Sequence, residues 1–215
     1  MNKIAIAFLA ALLLVGSGCR WGSIMGNGHI VTDTRSVSDF SEIEAGGAFE
    51  VDWRSGPTSL SITTDENLLR YISSENVDHQ LRLHSSGNLW PTHRIKVAIS
   101  SPSREGAKLT GAARLTANQL SGHNFAVEST GAAKITLDGK VDDLVTDMTG
   151  ASKLEAASLQ TKSAEISSTG ASHAEVAVSE ALSVSITGAG KVIYSGNPSK
   201  IEKHITGAGS IRHKE

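Results

Sequence analysis

The residues of this chain that could do chemistry recur at a fixed interval. Arg114, Lys134, Lys153, His173 and Lys191 each stand four residues after the threonine of a Thr-Gly-Ala tripeptide, and Ser210 takes that place in a sixth copy. A row of cationic heads in register suits the holding of an extended anionic or hydroxyl-rich polymer, such as a polysaccharide. Like charges directly across neighbouring strands repel, so such a row is mildly costly unless acids or an anionic ligand sit beside it. Glu155 and Glu175, two residues further along, can supply those acids, and the plainer alternative is a solvated face.

Other reactive groupings are thin. Asp138, Asp142, Asp143 and Asp147 cluster in one repeat, but the neighbouring repeats put Ser158, Gln160 or Ala177 in that region. Paired carboxylates for glycoside chemistry need a second wall, so the cluster reads as a polar loop and no catalytic residue is expected. The eight histidines (29, 79, 84, 93, 123, 173, 204, 213) show no close ligand spacing and the single cysteine is Cys19, so neither a metal nor a cofactor is expected. "GAGK" at 188–191 lacks the earlier glycine and the following Ser/Thr of a phosphate loop. Trp53 and Trp90 read as core or cap residues rather than sugar platforms.

The elements that must position the basic row follow from the tripeptide itself. Its copies begin at Thr110, Thr130, Thr149, Thr169, Thr187 and Thr206, at intervals of 20, 19, 20, 18 and 19 residues. A period of this length is what a solenoid needs. The fifth residue after each threonine is apolar (Leu115, Ile135, Leu154, Ala174, Val192, Ile211), with alternation on either side, so a strand with one buried face follows each tripeptide. Phe125, Leu144, Ala164, Leu182 and Ile201 form a second apolar column, which places another short strand before it. Gly111, Gly131, Gly150, Gly170, Gly188 and Gly207 are the expected corners, because glycine accepts positive φ and the alanine that follows is small.

The resulting expectation is an all-β fold, a right-handed parallel β-helix of short strands with about 19 residues per rung in the C-terminal half. A sandwich or barrel of hairpins competes, but two-residue hairpin turns are missing and aromatic content is 4%. Residues 37–106 read as irregular rungs and cap, and 107–215 as the regular repeats of the same single domain. "GAFEVDW" (47–53) is a degenerate copy, with Gly47 at the corner and Val51 in the apolar column. Strands are expected at "SLSITT", "QLRLHS" and "RIKVAIS", and a helical turn or two over "DENLLRYI" (65–72), with Leu68, Leu69 and Ile72 inward, as a cap against open edges.

The first 18 residues carry Lys3 and an apolar run from Ile4 to Val15, too short to span a bilayer. Gly16, Ser17 and Gly18 precede Cys19, as in a lipoprotein signal, although Gly16 stands where such signals usually carry leucine. Cys19 is the expected lipidation site and the membrane attachment; ordinary secretion, with the cysteine discarded or free, is the alternative. Arg20 in place of Asp favours the outer membrane. Residues 19–36, with the Gly-rich "RWGSIMGNGHI", read as anchor and tether. Cleavage would leave 197 residues with 19 Lys and Arg against 22 acids, a balance that argues against nucleic-acid binding.

The run "FSEIEAGGAFEVDWRSGPTSLSITTDENLLRYI", then "RIKVAIS", then the serial "TGA" copies, resembles the head GIN domain family, labelled auto-transporter adhesins, over roughly residues 37–210. The resemblance implies a β-helical envelope protein with no established activity. An autotransporter also needs a C-terminal membrane barrel, and this chain ends nine residues after Thr206, so presentation is expected to rely on Cys19. The combined expectation is a non-enzymatic, lipid-anchored envelope protein with an adhesin-like surface for polysaccharide or an envelope component. Its alternatives are a structural spacer and a β-helical polysaccharide-degrading enzyme.

Overall fold

Alternation of apolar and polar residues, reset at each Thr-Gly-Ala, makes the chain coil. The computed structural model describes residues 22–214; the leader and Cys19 lie outside them. The strands are β1 (Ser23–Met25), β2 (Ile30–Arg35), β3 (Glu42–Gly47), β4 (Phe49–Ser55), β5 (Ser59–Asp65), β6 (Ile72–Val77), β7 (Gln80–Ser85), β8 (Asn88–Trp90) and β9 (Ile95–Ser101). They continue as β10 (Gly106–Gly111), β11 (Arg114–Gly131), β12 (Lys134–Gly150), β13 (Lys153–Gly170), β14 (His173–Gly188), β15 (Lys191–Ser195), β16 (Lys200–Gly207) and β17 (Ser210–His213). A 3-10 helix, Glu66–Tyr71, joins β5 to β6. The expected strand pair per rung is, in β11 to β14, one bent strand of 16–18 residues that runs from one Thr-Gly-Ala to the next.

Two ladders build the body, a parallel β-solenoid of about five turns in the C-terminal half. One ladder runs β7–β3–β10–β11–β12–β13–β14–β16, and the other β9–β4–β11–β12–β13–β14–β15–β17, all parallel; the long strands belong to both. The apolar columns stack in register: Val51–Leu115–Ile135–Leu154–Ala174–Val192–Ile211 and Phe125–Leu144–Ala164–Leu182–Ile201. Their members are buried until the last lap, where Ile201 is 40% exposed. Each buried Leu or Ile contributes about 1.5–3 kcal/mol, so every internal lap is held by its two neighbours. Trp53, fully buried, fills an early lap between Phe40 and Phe125 and donates its indole N–H to Ser101 Oγ at 2.9 Å.

The tripeptide's glycine is required by its neighbour below. At Gly150, φ is +114° and an added Cβ would lie 2.3 Å from the carbonyl oxygen of Gly131. That carbonyl also accepts the N–H of Ala151 at 2.8 Å, so the corner is a close backbone stack with a hydrogen-bond ladder of its own.

The N-terminal end departs from the solenoid. Strand β5 pairs antiparallel with both β9 and β2, and β6 with β7. The 3-10 helix packs against β2, β5 and β6, with Leu68 fully buried, Ile72 buried and Leu69 partly so. Residues 23–25 and 30–35, expected within the tether, are strands: β1 pairs with β8 and β2 with β5. Asp65 fixes them there, because its buried carboxylate accepts the N–H of Gly28 at 2.7 Å and the N–H and hydroxyl of Thr92 at 2.9 and 2.8 Å.

Candidate functional site

Three outward faces result from the course of each lap. The segment after the corner gives face A, a bend near Gly139 leads to the short face C, and the segment before the next corner gives face B. The sequence-predicted basic residues occupy face A in one register column: Arg114, Lys134, Lys153, His173 and Lys191, ending at Ser210. Adjacent members are about 4.8 Å apart, the strand spacing. Below Arg114 the column continues through Glu50 to Lys96.

Two acids in the adjacent column work on this row. Glu155 receives Lys134 Nζ at 3.0 Å, Lys153 Nζ at 2.7 Å and the Thr136 hydroxyl at 3.2 Å. Those bonds, the one from Lys153 first, bring its carboxyl from 4.5 down to about 2. Glu175 meets His173 Nε2 at 3.1 Å, and that bond holds its carboxyl below the ordinary glutamate value. The centre of the row is therefore partly neutralised. Arg114 and Lys191, towards its two ends, take part in none of the ion pairs found among the described residues.

Face B has the opposite sign. Lys108, Glu128, Asp147, Ser167, Ser185 and His204 form one of its columns, and Ala126, Val145, Glu165, Ser183 and Glu202 another.

On face C the structure shows a feature that the residue types alone did not reveal. Between β13 and β14 the register jumps from Ala156↔Val176 to Gln160↔Ala177, leaving Ala157, Ser158 and Leu159 without partners in β14. The lap below bulges over the shorter lap above and leaves a cleft of about 450 Å³, with Lys140, Gln160, Thr161, Lys162, Ser179 and Glu180 among its walls. The signal was present in the spacing, because this is where the interval falls from 20 to 18 residues. Thr161 and Ser179 hydroxyls donate to the carbonyls of Ala177 and Thr161 at 2.8 and 3.1 Å, and Lys162 is bridged to Asp142 at 2.8 Å.

The aspartates of β12 do not converge. Asp138 accepts the Gln119 N–H at 3.2 Å, and Asp142 is held between Lys162 and His123. Asp143 lies on the next segment beside a groove of face B, and Asp147 lies in the Glu128 column. No group of three or more His, Cys, Asp or Glu among the described residues could hold a metal ion. No helix among them is long and apolar enough to cross a membrane.

Comparison with known proteins adds to this geometry. The family model described as "Putative auto-transporter adhesin, head GIN domain" matches residues 39–198. A putative adhesin of Bacteroides fragilis superposes with a TM-score of 0.73 at 20% identity, covering 89% of this chain and all of that one. A putative lipid binding protein of Parabacteroides distasonis gives 0.55 at 21% identity, covering 90% of this chain and all of its own. A putative adhesin of Parabacteroides merdae gives 0.51 at 17%, with the same coverages. At these identities the likeness is one of fold. No curated protein matches the sequence.

Proposed function

The chain belongs to the head GIN domain family of putative auto-transporter adhesins, and from that premise we propose that it is an adhesin-like protein of the cell envelope, held at the outer membrane through lipid on Cys19, whose face A binds an extended acidic polysaccharide. The family and the fold of the structural neighbours support the adhesin-like envelope reading. The polymer reading rests on one observation, the alignment of Arg114, Lys134, Lys153, His173 and Lys191 in a single column along the solenoid axis.

The polymer lies along that axis, its charged groups meeting successive laps. Arg114 and Lys191 bind first, since neither has to leave an acid. At the centre an incoming carboxylate competes with Glu155 for Lys134 and Lys153. Such competition makes each contact weak and the sum cooperative over several sugar units, as suits a reversible adhesin. Exposed ion pairs contribute about 1 kcal/mol or less each, so affinity comes from their number and falls as salt screens them.

The test is binding of polygalacturonate to the purified protein and to a variant with Arg114, Lys134, Lys153 and Lys191 all replaced by serine. The expected outcome is a loss of at least roughly tenfold, about 1.4 kcal/mol, with the residual binding less sensitive to salt. Equal binding by the two proteins removes the reading and leaves the spacer role, in which Glu155 and Glu175 serve only to quiet a solvated row.

A further inference from the structure

At the capped end of the solenoid, β1 lies parallel to β8 with Ser23↔Asn88, Ile24↔Leu89 and Met25↔Trp90 in register. Residues paired this way point to the same side. Ile24 and Leu89 turn inward, Leu89 against the core, while Met25 and Trp90 stand side by side on the outer surface, 52% and 51% exposed. Two large apolar side chains in register on a small sheet are a costly thing to leave in water, at about 25 cal/mol per Å².

The backbone beneath them is pinned. Asn67 Nδ2 donates to the Met25 carbonyl at 2.7 Å, Gly26 N–H to the Trp90 carbonyl at 3.0 Å, and Asp65 ties Gly28 to Thr92. Ile30 and Val77, also exposed, belong to the edge strands β2 and β6 of this same end. The pair is therefore presented by a rigid platform and not by a loose terminus.

Its position along the chain supplies the partner. Ser23 is four residues after Cys19, and four extended residues reach at most about 14 Å. A lipid on Cys19 would hold the start of β1 within that distance of the acyl chains, about half the thickness of a bilayer's hydrocarbon core. Tryptophan prefers the membrane–water interface, where its ring is buried and its N–H stays wet.

We propose that Met25 and Trp90 form a membrane-contact patch that seats the capped end on the bilayer, so that the solenoid axis and the basic column of face A run away from the lipid. This rests on the reading that Cys19 is acylated. A lipid anchor and an interfacial apolar contact then act as two linked signals, each adding to the other's hold.

The experiment uses the full chain expressed with its leader, in a Trp21→Phe background, and reconstituted in phosphatidylethanolamine–phosphatidylglycerol vesicles with brominated acyl chains. Mass spectrometry of the Cys19 peptide reports acylation separately. Trp53 is fully buried, so lipid quenching reads Trp90. The expected result is acyl mass on Cys19, with emission that is blue-shifted and quenched by brominated lipid. That change should be lost in a further Trp90→Phe variant and weakened by Met25→Ser. Acylated protein whose Trp90 emission is unquenched, and as open to acrylamide as in soluble Cys19→Ser protein, overturns the patch alone. A Cys19 peptide without acyl mass overturns the anchor reading and the patch together.

Discussion

Replacing Gly150 by alanine puts the stacked corner under direct strain. The new Cβ would sit 2.3 Å from the Gly131 carbonyl oxygen, which belongs to the backbone and cannot rotate away, at a φ of +114° that alanine resists. The backbone conformation alone costs about 1–3 kcal/mol. Relief of the clash requires the two laps to separate at the corner, stretching the Ala151 N–H to Gly131 carbonyl bond of 2.8 Å at a further cost of about 1–3 kcal/mol. Together these predict a loss of about 2–6 kcal/mol, or roughly 4–24 °C in Tm for a protein of this size. Gly122 is the control, because its φ is +153° but an added Cβ meets nothing within 4 Å. Urea unfolding followed by circular dichroism should show Gly150→Ala less stable than Gly122→Ala by about 1–3 kcal/mol. Equal losses would mean that backbone freedom alone, and not the stacking of one corner on another, explains the repeated glycine.

Three further outcomes follow from the same geometry. The Glu155 carboxyl, followed by NMR, should titrate near 2, and Lys134→Ser or Lys153→Ser should move it back towards 4.5. Because its folded value is the lower one, the pairing stabilises the fold fully above about pH 4.5 and is lost as pH falls towards 2, an effect of about 1 kcal/mol or less for these half-exposed groups. Asp65→Asn should cost about 1.5–3 kcal/mol by weakening charge-assisted bonds; hydrogen exchange should speed up at residues 23–35 and 88–93 while β12–β14 stay protected. In wild type, burial pushes the Asp65 carboxyl up but its bonds to Thr92 and Gly28 outweigh this and hold it below the ordinary aspartate value, so the latch loosens only as pH falls below that value. Finally, Lys203 occupies an inward column above Val184 in the last lap, where Ile201 and Ile205 are exposed. Lys203→Val should shift the protein towards larger species in light scattering, because an inward charge on an edge strand discourages edge-to-edge pairing.

The sequence was readable where a lap repeats its neighbour. Fixing each Thr-Gly-Ala as a corner set the register, and the Leu115 and Phe125 columns, the basic row and the Gly47 copy followed by counting. The long strands were read as two because alternation breaks at the Gly139 bend, although backbone pairing continues through it. The N-terminal end was less legible. Strands β2, β5 and β6 pair antiparallel, and β7 and β9, although parallel to β3 and β4, lie 38 and 46 residues from their partners, so no residue there has an equivalent one period away. Strand β1 was missed for a plainer reason: "SIM" has no pattern of its own, and its partners are β8, 65 residues away, and the Asp65 latch. The spacing of the repeats carries one further clue in its exception. An interval of 18 after one of 20 shows where a lap is short, but only the ladder shows that the missing residues are taken from face C, opening a cleft instead of breaking the core.

That distinction explains why chemistry can vary on this scaffold while the fold does not. Inward positions answer to the laps above and below, so a change there is felt through two interfaces at once. An outward position answers to fewer groups, as Glu155 does to Lys153 on its own lap and Lys134 on the lap below. Face A can therefore be rewritten with little effect on the core. The capped end is under the opposite constraint, since Asp65, Asn67 and Thr92 rigidly place two side chains that the core does not need. A platform held that firmly for an exposed Met25 and Trp90 is what the proposed membrane contact requires.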